Sequence, residues 1–369
     1  MSILSKIRKP TLILNEEKAK RNLHNLNEKI ISQKKIFRPH FKTHQSAQIG
    51  EWFRDIGISK ITVSSIDMAQ YFAEHGWSDI LIAFPVNILQ IEEIVQLSNK
   101  IQLSLLFEDL STVAFINKFL KTDIQGWIKI DTGANRCGLK SGQLQEILSL
   151  VNMIKKSDHI KFSGLLTHAG HSYHYSSKPE ITDVYKQSVD DLIGIKEFLE
   201  SRGIDDIKIS VGDTPSASLV DDFGPVDELR PGNFLFYDVQ QYQAGVCRLE
   251  EIAVAVACPV VAIHPDRNEL VIYGGAIHLS KDGHRWVEKI SSYGLVTLPN
   301  NHGWSDENVI GYVRSISQEH GIVVFPDGIP ADLKPGSLVY ILPAHSCLTV
   351  QALGHYLSLD GEIIQTLRS

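Results

Sequence analysis

The feature that most constrains this chain is a rhythm. From about residue 15 to residue 240, short β-rich runs alternate with polar amphipathic stretches of helical length. Repeated strand–helix units build parallel sheets, because a parallel pair needs a long crossover and a helix supplies one. The runs are FRPHF (37–41), KITVSS (60–65), DILIAFP (79–85), IQLSLLF (101–107), GWIKIDTG (126–133), FSGLLTH (162–168), IKISVG (207–212) and NFLFYD (233–238). Eight such runs are what a (β/α)8 barrel of the TIM type needs to close. Between them, residues 15–32 repeat Leu23, Leu26 and Ile30 at helical spacing, and 183–203 read as a helix ending on a glycine suited to cap it.

After about residue 245 the rhythm changes. CRLEEIAVAVACPVVAIHP, ELVIYGGAIHLS, GLVTLP, NVIGYVRSISQEHGIVVFP and GSLVYILPAH all read as strands with turn residues between them. The expectation is an α/β chain with a barrel over residues 1–245 and an all-β domain over 246–369, the extreme N-terminus joining the β domain. A length of 369 residues with 43% hydrophobic and 21% charged side chains provides for two such cores.

Charge narrows the ligand. A formal net charge of −7 argues against nucleic acid or an anionic membrane as partner and leaves small molecules. No segment reaches the roughly 18 apolar residues of a membrane span, and residues 1–10 do not read as a secretion signal, so a cytoplasmic location is expected. The four cysteines, Cys137, Cys247, Cys258 and Cys347, are widely spread and form no CxxC pair. A special cysteine here is a better ligand than a staple.

In parallel barrels the chemistry gathers where strands end. The first run closes in RPHFKTHQ, which places Lys42 just past an apolar segment, where a partly desolvated amine is a nucleophile toward a carbonyl. A solvated surface lysine is the plain alternative. KIDTGANRCG offers Arg136, a rigid cationic fork for a phenolate or carboxylate oxygen. LLTHAGHSYHY supplies His168, His171 and Tyr173, able to pack on an aromatic ligand or move protons. SVGDTPSAS brings Gly212, Thr214 and small hydroxyl residues, a composition that lets backbone N–H groups approach a phosphate. ELRPGNFLFYD adds Gly232, Asn233, Tyr237 and Asp238 in the last loops, the usual place for a barrel phosphate site. In the β domain LVYILP runs into AHSCLT, where His345 and Cys347 stand two apart and, on a strand, would share a face. Imidazole and thiolate together favour zinc and leave coordination positions for water and substrate; two buried packing residues are the alternative.

Taken in order, PHFKTH, KIDTGANRCG, LLTHAGHSY, SVGDTPS, ELRPGNFLFYD, SQEHG and PAHSC resemble the motif series of the D-serine dehydratase and D-threonine aldolase family, the alanine-racemase-like, fold-type III branch of pyridoxal-phosphate enzymes. The resemblance covers nearly the whole chain. It implies that Lys42 links pyridoxal 5'-phosphate covalently, with Arg136 near the ring phenolic oxygen, His168 against the ring and Tyr173 near cofactor or substrate. Gly212, Thr214, Gly232 and Asn233 would line the phosphate region with Tyr237 beside them, and His345 and Cys347 would hold Zn2+, or Mn2+ or Mg2+ if Cys347 is not a ligand. It also implies a homodimer and a small D-amino-acid substrate.

Within that family dehydratases resemble this chain in pairing His with Cys, whereas bacterial threonine aldolases tend to carry an acidic partner. The reading is therefore a lyase that removes water from a D-β-hydroxy amino acid, giving a keto acid and ammonia. A metal-dependent D-threonine aldolase keeps the site and breaks Cα–Cβ instead. An amino-acid racemase has no need of a metal beside the hydroxyl, and a non-catalytic cofactor carrier has no need of the β domain. Two residues depart from the family pattern: Tyr273 where relatives commonly carry an acid, and Asp213 where many carry serine. Asp213 brings a carboxylate to the proposed phosphate loop, where it must point away or find a partner.

Overall fold

A computed structural model describes residues 6–286, 290–300, 302–305 and 308–368, and the chain divides into two compact units. One comprises Asn25–Lys42 and Gly50–Gly232; the other comprises Met1–His24, Thr43–Ile49 and Asn233–Ser369.

The first unit is a parallel barrel. Its strands follow the order Ile36–Phe37, Glu228–Leu229, Lys208–Val211, Ile160–Leu166, Ile124–Asp131, Gln102–Phe107, Asp79–Pro85 and Lys60–Val63. A bridge between His40 and Thr62 returns the last strand to the first. Amphipathic helices connect the strands. Lys178–Glu200, for example, starts on Ser177, whose side chain accepts from the Glu180 N–H, and buries Ile181, Val189, Leu192, Ile195 and Leu199. Leu81, Leu106, Trp127 and Leu166, one from each of four strands, pack as one buried cluster.

Seven of the eight expected strands form at or within a few residues of their predicted places. The eighth differs. NFLFYD is not a strand: Asn233–Leu235 is a 3-10 turn, and the Asn233 carbonyl accepts from the Phe236 and Tyr237 N–H groups at 3.1 and 2.7 Å. Tyr237 sits at φ 48°, so the chain turns away from any ladder. The two-residue strand Glu228–Leu229 takes the eighth place, stopping just before Pro231, which has no N–H to extend it. The first strand is short for the same reason: it covers Ile36–Phe37, so of FRPHF only Phe37 lies in it before Pro39.

Close packing is tightest at Gly164. Its backbone has φ 152°, and an added Cβ would lie 2.0 Å from the Lys208 carbonyl oxygen. Only glycine fits between those neighbouring strands.

The second unit is built on an antiparallel sheet. Val254–His264, Glu269–Tyr273, His320–Val324, Gly311–Ile316, Gly294–Thr297 and Leu338–Pro343 pair in a ring that closes back on Val254–His264. The long strand serves two neighbours on one edge, Thr11–Leu14 through its first half and Glu269–Tyr273 through its second, with a register shift between Val260 and Ala262. Thr11–Leu14 pairs in turn with His355–Ser358, which forms a hairpin with Ile363–Gln365. Part of ELVIYGGAIHLS is helical rather than extended: Ala276–Leu279 follows the strand Glu269–Tyr273 as a single turn. No described helix is long and apolar enough to cross a membrane.

A buried ionic chain ties the barrel strands together. Arg38 donates to Glu228 Oε2 at 2.6 Å and to Asp79 Oδ1 at 2.7 Å, and Ser210 donates to Glu228 Oε1 at 2.7 Å. Removing one member of a buried ion pair leaves the other charge without compensation and costs about 3–5 kcal/mol. Arg38→Met is expected to lower folding stability by that order, read as a fall in the urea midpoint of the barrel's unfolding, whereas a loss below about 1 kcal/mol would show the chain to be dispensable.

Candidate active site

The backbone that carries Lys42 is fixed from behind. The Phe41 N–H donates to the Thr62 carbonyl at 2.8 Å, and the fully buried Phe41 ring lies 4.8, 4.9 and 5.0 Å from those of Phe53, Phe72 and Trp77. Lys42 itself is exposed rather than desolvated. Its own N–H donates to His40 Nδ1 at 3.3 Å, so that nitrogen is the acceptor and His40 carries its proton on Nε2 when neutral.

The barrel unit brings Lys42, Arg136 and His168 into one electrostatic neighbourhood. Burial above all, then the Lys42 charge, holds both His40 and His168 well below the ordinary histidine range, with Arg136 adding to each. Both rings are therefore neutral at pH 7. His168 Nδ1 contacts the Gly212 carbonyl, which only accepts, so Nδ1 holds the proton and Nε2 keeps its lone pair. Tyr173 lies 6.2 Å from the His168 ring, and its hydroxyl oxygen accepts from the Thr214 N–H at 3.3 Å.

The helix Thr214–Leu219 opens this loop, and Asp213 caps it. Its Oδ1 accepts from the Ser216 N–H at 2.8 Å and from Ser172 Oγ at 3.0 Å. Burial raises the Asp213 pKa and favours the protonated acid, although those hydrogen bonds oppose it. The departure at position 213 thus has partners. Beside it, Thr214 Oγ1 is buried with no hydrogen-bond partner among the described residues. An orphaned buried hydroxyl is what an incoming anion would satisfy.

Two cations of this neighbourhood lie in the quoted motifs but were not singled out in them. Arg230, 4% exposed, donates from Nε to Ser210 Oγ at 2.7 Å and from NH2 to the Thr167 carbonyl; burial outweighs Glu228 and brings its pKa down to about 10. Lys129, also 4% exposed, donates to the Ile130 carbonyl at 3.0 Å; burial chiefly, with repulsion from Arg230 and Arg136, lowers it to about 8 against the pull of Cys137 and Asp131. A charged residue inside the otherwise apolar run GWIKID was the available signal. With Lys42 and Arg136 these make a strongly positive surround for an anionic ligand.

The second unit holds the other set. His345 and Cys347 are not on a strand: the strand ends at Pro343, His345 is the N-cap of helix Ser346–Leu353, and Cys347 sits in its first turn. The pair nevertheless meets. Burial would lower the His345 pKa, but the hydrogen bond and charge of Cys347, then Asp238 and Asp282, carry it up to about 10. Asp282 Oδ2 lies 2.7 Å from His345 Nδ1, a contact that leaves Nε2 available. Cys347 is buried beside Thr43 Oγ1 at 3.4 Å, and Asn233 Nδ2 lies 3.7 Å from its sulfur. Asn233 also donates to Asp238 Oδ2 at 2.6 Å, and the same oxygen accepts from the Ser346 N–H at 3.0 Å. Asn233 therefore keeps company with Cys347 in this unit, Gly232 ends the barrel unit, and Tyr237 is buried within the second. Tyr273 stacks edge-on against His278 at 5.4 Å. Among the described residues no group of three or more His, Cys, Asp or Glu side chains gathers as a metal cage, so a metal here would rest on the His345–Cys347 pair. None of the four cysteines is in a disulfide.

Comparison with known proteins bears on both sets. The profile of the alanine racemase N-terminal domain matches residues 14–239, and that of a putative serine dehydratase domain matches 253–359. A D-serine dehydratase of Dictyostelium discoideum is 29% identical, the alignment covering 99% of this chain and 97% of that one. The D-threo-3-hydroxyaspartate dehydratase of Delftia sp. (strain HT23) is 27% identical over 96% of this chain and 95% of its own. Its solved structure superposes with a TM-score of 0.90 at 26% identity, covering 100% of this chain and 99% of that one. A D-threonine aldolase of Arthrobacter sp. is 23% identical over 64% of this chain and 62% of its own.

Lys129 yields a pH test. Between about 8 and the ordinary lysine value of 10.5 the unfolded chain binds a proton that the folded chain does not, so stability rises with pH across that window. Below 8 the penalty of the buried charge is fully present, on the order of 3 kcal/mol at most. Lys129→Met is expected to raise the urea midpoint at pH 7, and the gain is expected to shrink between pH 8 and 10.5; a gain independent of pH would disprove the assignment.

Proposed function

The chain belongs to the alanine racemase N-terminal domain family, and on that premise we propose that it is a pyridoxal-phosphate- and zinc-dependent lyase. It eliminates water from a D-β-hydroxy amino acid, D-serine or a D-threonine-like relative, to give a keto acid and ammonia. The observation that carries this reading is the His345–Cys347 pair, oriented by Asp282, in a chain that aligns end to end with two dehydratases. One solved structure of a D-threo-3-hydroxyaspartate dehydratase, a cysteine-to-alanine variant, is in a metal-free form.

The residues present fit both groups. Thr214 Oγ1 is a buried donor in need of an acceptor, and a phosphate would provide one. Burial raises the Asp213 pKa beside it, which favours the acid form and lessens the repulsion a carboxylate there would exert on that phosphate. At the other set, a nitrogen and a sulfur donor on one helix start suit zinc, and two protein ligands leave positions for water and substrate. When bound, the cofactor supplies an electron sink for a carbanion at Cα and the metal a Lewis acid at the β-hydroxyl.

The chain's own groups then divide the work. Lys42 would hold the cofactor through its amine, and the same amine is the base that would take the α-proton. His168, neutral and with its Nδ1 proton committed to Gly212, would face the cofactor without adding charge, with Tyr173 near it. Arg136 would pair with an anionic oxygen, with Arg230 and Lys129 adding to the positive field. Asp282 holds the His345 ring through Nδ1, leaving Nε2 as the nitrogen that would bind a metal. A D-threonine aldolase is the second reading, supported by the partial alignment with the Arthrobacter enzyme; it would use the same groups and deprotonate the β-hydroxyl instead.

Product analysis separates them. With cofactor and zinc supplied, D-serine is expected to yield pyruvate and ammonia in equal amounts, a chelator abolishing both; glycine and an aldehyde without ammonia would establish the aldolase, and no turnover of D-serine, D-threonine or D-threo-3-hydroxyaspartate would overturn both. Lys42→Ala is expected to lower turnover by at least ~10²–10⁴. Asp282→Asn is expected to weaken zinc binding about 10- to 100-fold in competition with a chromophoric chelator while leaving cofactor affinity unchanged.

A further inference from the structure

The chain passes between the two compact units at four places, and one of them is the peptide bond between Lys42 and Thr43. Beyond it, the chain is tied residue by residue to the C-terminal segment of its own unit. Thr43 is fully buried and meets Cys347 through its hydroxyl. The His44 carbonyl accepts from Tyr356 Oη at 2.8 Å, a bond wholly inside the unit. The Gln45 carbonyl accepts from the Leu367 N–H at 2.7 Å. The Gln351 amide, turned so that its oxygen faces the Arg368 guanidinium, donates to Gln45 Oε1 at 3.0 Å.

Gln45 itself is in the left-handed region at φ 53°. A side chain with a Cβ does not rest there without being held. Two of its holds, through Leu367 and through Gln351 and Arg368, lead to the last described residues. That tail is anchored in turn: it continues from the hairpin of His355–Ser358 with Ile363–Gln365, and Thr366 Oγ1 donates to the Gly354 carbonyl.

We propose that Thr366–Arg368 is a clasp that holds Thr43–Gln45 in a strained turn and thereby fixes the backbone leading out of Lys42, making Leu367 and Arg368 positioning residues for the lysine amine. The proposal rests on the reading of Lys42 as the cofactor-bearing residue. Aromatic packing at Phe41 holds the lysine from one side of the chain and the clasp from the other. With the clasp open, Gln45 relaxes and the amine samples orientations from which it reaches a carbonyl less often.

Leu367→Pro removes the N–H that donates to the Gln45 carbonyl, and Leu367→Ala keeps it. The first is expected to speed hydrogen exchange at residues 43–46 and to weaken binding of pyridoxal 5'-phosphate, read from the visible absorbance of the lysine-bound form, about three- to tenfold, the size of one hydrogen bond. The second is expected to leave both near the parent values. Arg368→Ala, at an exposed side chain, is expected to act in the same direction with a smaller effect and serves if Leu367→Pro does not fold. Parent-like exchange and affinity in Leu367→Pro, or in Arg368→Ala where that variant stands in, would overturn the clasp, as would equal effects from Leu367→Ala. Should borohydride reduction of the parent holoprotein label a lysine other than Lys42, the functional reading fails instead, and the exchange experiment still decides whether the clasp exists.

Discussion

The barrel closes through very little. The Thr62 N–H donates to the Pro39 carbonyl at 2.9 Å and the Phe41 N–H donates to the Thr62 carbonyl at 2.8 Å, and these two bonds bring Lys60–Val63 back to the segment that began at Ile36. A two-residue strand interrupted by Pro39 is a weak seam by ladder length alone. It is reinforced by what surrounds it: Arg38 reaches the carboxylates of Asp79 and Glu228, and Phe41 fills a box of three aromatic rings. Lys42 is the next residue. The same contacts that shut the sheet therefore determine where the amine begins.

Charge is organised around that point in an uneven way. Four cationic side chains, Lys42, Lys129, Arg136 and Arg230, share one neighbourhood, while His40 and His168 are kept neutral by burial and by those very cations. Among the described residues no carboxylate contacts Arg230 directly; Ser210 stands between it and Glu228, passing on part of the negative charge through a hydroxyl. Such an arrangement is costly for an empty protein and favourable once anions arrive, which fits a ligand with a phosphate and a carboxylate.

Much of this could be read before any coordinates. Strands of six to eight residues such as Asp79–Pro85 and Ile124–Asp131 announce themselves through runs rich in aliphatic and aromatic residues. The eighth strand did not, because Glu228–Leu229 is too short to form a pattern and the louder apolar run after it, NFLFYD, is buried through a turn. The His345–Cys347 pair was visible as a spacing, yet its setting was misread: a residue after Pro343 can extend a strand or cap a helix, and spacing by two does not distinguish the cases. Asp282 and Thr43 were illegible as neighbours of that pair, since nothing in a linear pattern brings residues some 60 or 300 apart together. Lys129 and Arg230 were readable in principle as charges inside apolar runs, a signal outweighed there by the more familiar residues of the same motifs.

The strand Thr11–Leu14 lies between Val254–Ala257 and His355–Ser358, so its neighbours are made about 240 residues later. At a synthesis rate of about 5–20 residues per second it waits on the order of 10–50 s with Ile13 and Leu14 unpaired while the ribosome completes the barrel. The antiparallel unit completes its sheet only once residues 355–365 have been made, and until residues 254–257 emerge Ile13 and Leu14 have neither of their sheet partners, an unpaired apolar strand of the kind that templates non-native pairing.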